Sequence, residues 1–192
     1  PDNGAMLERV LRDMVSRAVP DLEQYLDDEV GFVTTMVDRI TPRATDAIWQ
    51  AVQDEQGVDD PAAIGTEPFS EWVLAGDLKG QVPDWASAGA VFVDDVVPHE
   101  LRKLWLLNGA HSLLAYAATI KGHQTVSDAI ADPIVRGWVD EWWDVAARQL
   151  PLDDAVIADY RAALLERFGN PRMRDQLSRI AADGSQKIPI RI

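Results

Sequence analysis

Cysteine is the first thing that this sequence lacks: none occurs among its 192 residues. The protein therefore has no disulfide, no thiolate metal ligand and no cysteine nucleophile. Cysteine-free chains are typical of the reducing cytoplasm, where disulfides are rare, and we expect a cytoplasmic protein.

Basic residues are scarce relative to acidic ones. The chain has 18 Lys and Arg residues against 32 Asp and Glu residues, so its formal net charge is -14. Such a charge repels phosphate backbones and anionic membrane surfaces at long range, and we expect neither nucleic acid nor a membrane as a partner. No apolar run approaches the roughly 18 residues that a membrane span needs.

Several functional motifs are missing as well. The sequence contains no G-x-G-x-x-G, no P-loop and no G-x-S-x-G, so nothing indicates that this chain binds a dinucleotide or a triphosphate by itself. His99, His111 and His123 lack the i, i+4 spacing of metal ligands, and we expect no metal site. The chain starts at Pro1 without an initiating methionine or a signal peptide, and we expect it to be a segment of a longer protein.

What is present predicts a mainly α fold. Apolar residues recur at helical spacing behind Asn3, a good N-cap, as far as Pro20. Caps and helix-ending residues predict further helices: a short one from Asp21, and others over 45–57, 98–119, 132–150, 153–169 and 170–184. Phe69–Leu74 and Gly89–Val93 have the composition of short strands. We therefore predict one multi-helical domain of about eight helices with a minor two-stranded β element.

The long helix over 98–119 carries an unusual set of polar residues: Glu100, Lys103, Asn108 and His111. At about 100° per residue, all four fall within about 140° of one another, on one side of the helix. A line of donors and acceptors on one face suits a ligand with many hydroxyl groups. Every helix of a globular protein has polar positions, however, so an ordinary solvated face remains the alternative.

A second helical stripe consists of Trp138, Trp142 and Trp143 with Val139. Large aromatic side chains at helical spacing are typical of a face packed into a core. We predict that this stripe packs and does not bind a ligand.

Four motifs carry a resemblance to a known family: Thr35-Met-Val-Asp-Arg-Ile-Thr-Pro42, Phe69-Ser-Glu-Trp-Val73, Lys103-Leu-Trp-Leu-Leu-Asn108-Gly-Ala-His111 and Asp183-Gly-Ser-Gln-Lys-Ile-Pro189. They resemble the M-V-D-R-I-T-P block, the F-x-x-W-V segment, the K-x4-N-x2-H signature and the D-G-S-x-K motif of the mannitol dehydrogenase family, the long-chain polyol dehydrogenases. They occur in the family's order and span most of the chain.

This resemblance implies a fold and a missing partner. Residues 1–192 would form the helical substrate-binding domain, of the 6-phosphogluconate-dehydrogenase-like type. An N-terminal Rossmann domain that holds NAD or NADP would lie outside this chain and carry most of the cofactor contacts. The family's C-D-N motif, which adds an asparagine to the oxyanion site, is matched only weakly by Asp2-Asn3, so we expect that asparagine upstream.

The resemblance also implies roles for individual residues. Lys103 would be the general base, Asn108 would stabilise the developing alkoxide, and His111 would hydrogen-bond the substrate. The remaining implied residues all bind substrate: Val37, Asp38 and Glu100 at its border, and Arg179 and Lys187 at its distant oxygens. No metal takes part in this scheme.

The expected function is the substrate half of an NAD(P)-dependent oxidoreductase for a sugar alcohol or a sugar acid. The reaction would interconvert mannitol and fructose, or mannonate and fructuronate. Without a metal to acidify the alcohol, a neutral amine must accept its proton as hydride leaves. Two alternatives stay open: a non-catalytic helical association module, and a stand-alone hydrolase with Ser112 beside His111.

Overall fold

The computed structural model describes residues 4–192, with side chains from residue 6 onward. The chain divides into two compact units. The sheet unit comprises the chain up to Asp38 together with Ser70–Glu100. The helical unit comprises Arg39–Phe69 together with Leu101–Ile192. The predicted cap Asn3 and the pair Asp2-Asn3 lie outside the described residues.

The sheet unit is built from helices α1 (Gly4–Ala18) and α2 (Glu23–Glu29) and strands β1 (Val33–Asp38), β2 (Glu71–Gly76) and β3 (Ala90–Phe92). A short 3-10 turn begins at Pro20, so α1 ends before this proline, as predicted. β1 pairs antiparallel with β2, and β2 pairs parallel with β3. The sheet buries a small cluster: Met36, Val73, Ala75 and Val96.

The helical unit contains α3 and most of a long helical run that α4 begins. The run is continuous: α4 (Val97–Arg102), a π segment (Lys103–Gly109), α5 (Ala110–Leu113) and a second π segment (Leu114–Ala118). The other helices are α3 (Asp46–Gln56), α6 (Val126–Ala131), α7 (Pro133–Ala147), α8 (Asp154–Phe168), α9 (Leu177–Ala181) and α10 (Gly184–Arg191). No helix within residues 4–192 combines the length and the apolar character that crossing a membrane requires.

One large core holds the helical unit together. Its fully buried side chains include Leu106 and Leu114 of the long run, Trp143 of α7, and Leu164 and Phe168 of α8. The stripe of tryptophans packs here as predicted, because Trp138 and Trp142 lie against the same cluster. The side chain of Asp132 caps α7 by accepting a 2.9 Å hydrogen bond from the backbone amide of Ile134.

The predicted fold class, mainly helical with a minor two-stranded element, was wrong. The structure contains a three-stranded sheet in a unit of its own. The missed strand is β1, whose buried positions are Met36 and Asp38 and whose exposed positions include Thr35 and Val37. Alternation is the main strand signal, and a buried carboxylate on the inner face breaks the alternation of apolar residues.

The predicted last helix over 170–184 was wrong too. Arg174 and Asp183 both have positive φ angles, 46° and 61°, which L-residues rarely adopt inside a helix. These residues delimit two short helices, α9 and α10. Gly184 begins α10 and does not end a helix, and a Cβ atom at this position would collide with the hydroxyl of Tyr116.

Candidate functional site

The K-x4-N-x2-H motif coincides with the first π segment of the long run. Lys103 opens this segment, Asn108 lies near its end and His111 follows in α5. Hydrogen bonds in a π turn join residues five apart, so each residue there turns the chain by about 80°. Lys103 and Asn108, which an α-helix would hold about 140° apart, are therefore about 40° apart. The widened turn brings amine and amide to one face.

Side-chain donors stabilise the widened turn. The indole of Trp142 donates a 2.8 Å hydrogen bond to the carbonyl of Trp105, and the indole of Trp143 donates one of 2.8 Å to the carbonyl of Leu106. Ser112 donates its hydroxyl to the carbonyl of Asn108 at 3.0 Å. A π segment shifts the partners of its carbonyls, so these three bonds offset part of the cost of leaving α geometry.

Gly109 closes the π segment against a bulky neighbour. A Cβ atom at this position would lie 2.8 Å from the indole of Trp142. The glycine therefore allows the backbone to approach the ring whose N–H holds the carbonyl of Trp105. The G in the K-L-W-L-L-N-G-A-H stretch is required for packing.

His111 is buried, at 8% exposure, and its ring lies 4.7 Å from the ring of Phe168. Burial lowers the pKa of its imidazole from 6.5 to about 4. The charge of Asp175 opposes this shift, and three cations add to it: Arg167, Arg179 and Arg191. His111 is therefore neutral at pH 7 and can donate one hydrogen bond and accept another.

Helices α9 and α10 supply the two predicted cations of the helical unit. Arg179 in α9 pairs with Asp175, which lies four residues earlier and precedes this helix. Lys187 in α10 is half-buried and donates a long 3.4 Å hydrogen bond to the carbonyl of Ile180. α10 packs against the first π segment and α5, and α9 packs against α5 and the second π segment. The last two helices therefore pack against the run that carries Lys103, Asn108 and His111.

Three predicted residues belong to the sheet unit: Val37, Asp38 and Glu100. Val37 is 54% exposed on the outer face of β1, whereas Asp38 is 1% exposed at its end. Glu100 is half-buried in α4. Their roles at the border of a substrate stay predictions.

The sequence interpretation missed two carboxylates of the helical unit. Asp175 pairs with Arg179, and its position four residues earlier was the available signal. Glu67 forms a buried two-pronged ion pair with Arg167, with distances of 2.8 and 2.9 Å, but these residues are 100 positions apart and no local pattern joins them. Within residues 4–192, no three His, Asp or Glu side chains gather as metal ligands would.

Comparison with known proteins decides the family. Residues 95–192 match the mannitol dehydrogenase C-terminal domain, and residues 1–87 match the mannitol dehydrogenase Rossmann domain. The chain belongs to the mannitol dehydrogenase family. The Rossmann match corrects the fold prediction a second time, because that prediction assigned the entire chain to the helical C-terminal domain.

Relatives from this family resemble the chain along its whole length. D-mannonate oxidoreductase of Escherichia coli (strain K12) is 38% identical over 193 residues, 100% of this chain and 40% of the relative. D-arabinitol 4-dehydrogenase of Ralstonia nicotianae (strain ATCC BAA-1114 / GMI1000) is 37% identical over 97% of this chain and 41% of the relative. The chain thus spans about 40% of the length of these relatives.

Two solved structures share the fold. Mannitol 2-dehydrogenase of Pseudomonas fluorescens, in a ternary complex with NAD and D-mannitol, superposes with a TM-score of 0.83 at 34% identity, covering 100% of this chain and 39% of that one. Substrate-free D-sorbitol dehydrogenase superposes with a TM-score of 0.88 at 29% identity, covering 98% of this chain and 40% of that one.

Proposed function

We propose that this protein is an NAD(P)-dependent oxidoreductase that interconverts a sugar alcohol or an aldonate with the corresponding keto sugar. Mannitol with fructose and mannonate with fructuronate are the two candidate pairs. The observation that carries the proposal is the π segment that begins at Lys103, within the part of the chain that matches the family's C-terminal domain. Its wider turn supports a common face for Lys103, Asn108 and His111. Relatives named for mannitol, mannonate and arabinitol support this substrate class.

The roles of the cluster follow from the chemistry of alcohol oxidation. An uncharged amine at Lys103 accepts the hydroxyl proton, and the reverse reaction returns it to the carbonyl oxygen. The amide of Asn108 donates a hydrogen bond to the same oxygen, where negative charge develops. Neutral His111 hydrogen-bonds the substrate. The reaction uses no metal in this proposal.

The outlying residues would bind the rest of the sugar. Arg179 and Lys187 donate to its distant oxygens, and for a sugar acid one of them would meet the carboxylate in a charge-assisted hydrogen bond. Val37, Asp38 and Glu100 would border the substrate.

The side chains of this chain suit the alcohol substrate of a reaction that uses a nicotinamide dinucleotide. An amine and an amide on one face suit an alcohol that loses its proton while hydride leaves. When bound, the nicotinamide supplies the hydride acceptor. The sequence contains no glycine-rich loop for the pyrophosphate, and residues of the Rossmann domain would hold the nucleotide.

The two alternatives have less support. In a hydrolase, Ser112 would need His111 as its base, but its hydroxyl donates to the carbonyl of Asn108. An association module would explain a polar helix face, but it would not need the amine at position 103.

The base assignment is tested with Lys103→Met in the intact protein, with Lys79→Met on the surface of the sheet unit as the matched control. General base catalysis contributes about 10² to 10⁴ in rate, so kcat should fall about a thousandfold in the first variant and stay unchanged in the second. Turnover that survives Lys103→Met at the control level would refute the assignment and favour an association module.

Substrate choice is tested with mannitol, arabinitol and mannonate, each with NAD and with NADP. Arg179→Met should weaken oxidation of mannonate more than that of mannitol if the guanidinium meets a carboxylate. Equal losses would assign Arg179 to hydroxyl groups. No turnover of any of these substrates with either nucleotide would contradict the proposed substrate class.

A further inference from the structure

A small cavity lies in the helical unit beside His111. Its charged lining residues are Arg167 and Asp175, and Ser127 and Asn170 add polar groups. The cavity volume is about 10 Å³, which is close to the space that one water molecule needs. No sugar fits into this volume.

Two buried polar atoms of the lining residues have no hydrogen-bond partner among the described residues 4–192: Nε2 of His111 and Oδ2 of Asp175. Leaving a buried polar atom unsatisfied is unfavourable, and in native proteins ordered water usually fills this role. One water molecule can accept from Nε2–H and donate to a carboxylate oxygen at the same time.

The backbone of Asp175 is held firmly. Its carbonyl accepts a 3.0 Å hydrogen bond from the amide of Val126, and the next residue, Gln176, forms a β-bridge with Thr125. The other carboxylate oxygen, Oδ1, accepts from both Nε and Nη2 of Arg179. Asp175 is thus a fixed anion with one oxygen engaged by Arg179 and one oxygen left for another donor.

We propose that Asp175 is a positioning residue: its Oδ1 orients Arg179, and its Oδ2 orients His111 through one water molecule in this cavity. The inference rests on the proposed function in one respect, because it takes Arg179 and His111 as the groups that bind the sugar. The link fixes the hydrogen of the imidazole on Nε2 and leaves Nδ1 as an acceptor.

The charges around His111 agree with a neutral ring in this link. Asp175 is the anion among them, and the cations are Arg167, Arg179 and Arg191. Arg167 is neutralised by its ion pair with Glu67. Burial keeps the ring uncharged at pH 7, so Asp175 selects the tautomer and does not create an imidazolium.

The test measures the tautomer of His111 by ¹⁵N NMR of the imidazole nitrogens at pH 7, in the intact protein without substrate. Wild type should show hydrogen on Nε2. Asp175→Leu should reduce the ratio of the Nε2–H to the Nδ1–H form about tenfold, the value of one net hydrogen bond. Asp175→Asn, whose amide oxygen can still accept a hydrogen bond from the water, should reduce this ratio less.

Two further variants separate the parts of the link. Arg179→Met removes the partner of Oδ1 and should leave the tautomer ratio unchanged. Asp140→Leu breaks a comparable i, i+4 pair with Arg136 in α7 and should change neither the tautomer nor kcat. An unchanged tautomer in folded Asp175→Leu would overturn the proposal, and so would a tautomer change in Asp140→Leu of the same size.

A kinetic readout links the same variants to the substrate. Asp175→Asn should raise KM for the sugar about tenfold with little change in kcat, because both groups that it orients bind substrate before and during the reaction. A tautomer change without any effect on KM would overturn the link to substrate binding. The NMR result needs no turnover, so it stands or falls separately from the proposed activity.

Discussion

The two units of this chain differ most in how much apolar surface each of them buries by itself. In the helical unit, a continuous core runs through the long helical run, α7 and α8, with Trp143, Leu164 and Phe168 at its centre. In the described part of the sheet unit, the buried cluster around Val73 is small and consists of Met36, Val73, Ala75 and Val96. Burial of apolar area is the main stabilising contribution to folding, so the helical unit should be the more stable of the two.

Large apolar side chains are exposed in both units: Leu7 in α1 is 66% exposed, and Ile120 in the helical unit is 88% exposed. The helical unit differs because its packing holds an unusual backbone, the π segment with Lys103 and Asn108. The roles proposed for these two residues require rigid support, and the large core lies around the widened turn. The contrast between the units can be tested by substitution.

The largest loss of stability is expected from a substitution in the buried ion pair of the helical unit. Arg167 donates to both carboxylate oxygens of Glu67, which also accepts from the amide of Ile40. Arg167→Met leaves a buried carboxylate unpaired and should lower the free energy of unfolding by about 3–5 kcal/mol, measured by urea denaturation.

Two variants check this prediction. Arg161→Met, on the same helix, breaks an exposed pair with Asp144 and should cost at most about 1 kcal/mol. Glu67→Leu combined with Arg167→Met removes both charges and should recover most of the stability. Equal losses for Arg167→Met and Arg161→Met would mean that the interior of the helical unit is hydrated.

A slightly smaller loss of stability is expected when the pH is lowered. The pKa of His111 is about 4 in the folded protein and 6.5 when the group is exposed. Between these values the unfolded chain binds a proton that the folded chain does not, so stability is complete above pH 6.5 and falls as the pH drops toward 4. The loss should be about 3 kcal/mol.

The variant His111→Gln should flatten this part of the stability profile, measured by urea denaturation from pH 8 to pH 4. Wild type and variant are compared through the slope, because a loss at pH 8 reports packing alone. An unchanged slope in the variant would show that His111 is not the group responsible.

Part of this comparison could be predicted from the sequence. Asp132 and Pro133 mark the start of α7 because cap chemistry is local. The K-x4-N-x2-H motif predicts the residues of the proposed site, and their roles stay predictions. β1 was missed because it buries Asp38 together with Met36, and a charged residue on an inner face gives no strand pattern.

The widened turn was also beyond sequence reasoning. Its donors, Trp142 and Trp143, are 37 positions away from the carbonyls that they bind. The tryptophan stripe was correctly predicted to pack, but periodicity carries no information about where an indole N–H points. Glu67 was missed for the same reason, because its partner Arg167 lies 100 positions away. Asp175 is different, because it lies four residues before Arg179 and this spacing was available in the sequence.

Two glycine-to-alanine substitutions in the helical unit should change the stability by intermediate amounts and with opposite signs. Gly109→Ala would place a Cβ atom 2.8 Å from the indole of Trp142 and should cost about 1–3 kcal/mol through overpacking. Gly137→Ala, in α7 with no atom within 4 Å of its Cβ position, should stabilise by about 0.5–1 kcal/mol. Thermal unfolding measures both. A neutral Gly109→Ala would mean that the turn does not depend on this close approach.

The smallest effect is expected on the exposed face of the sheet unit. Leu7 is 66% exposed and Leu26, in α2, is 8% exposed, so the same change to Gln tests burial within one unit. Leu7→Gln should alter the free energy of unfolding by no more than about 0.5 kcal/mol, whereas Leu26→Gln should cost about 2 kcal/mol or more. If Leu7→Gln instead costs as much as Leu26→Gln, the α1 face is covered in solution. In that case the small core of the sheet unit would not be the whole of its buried surface, and the contrast with the helical unit would narrow.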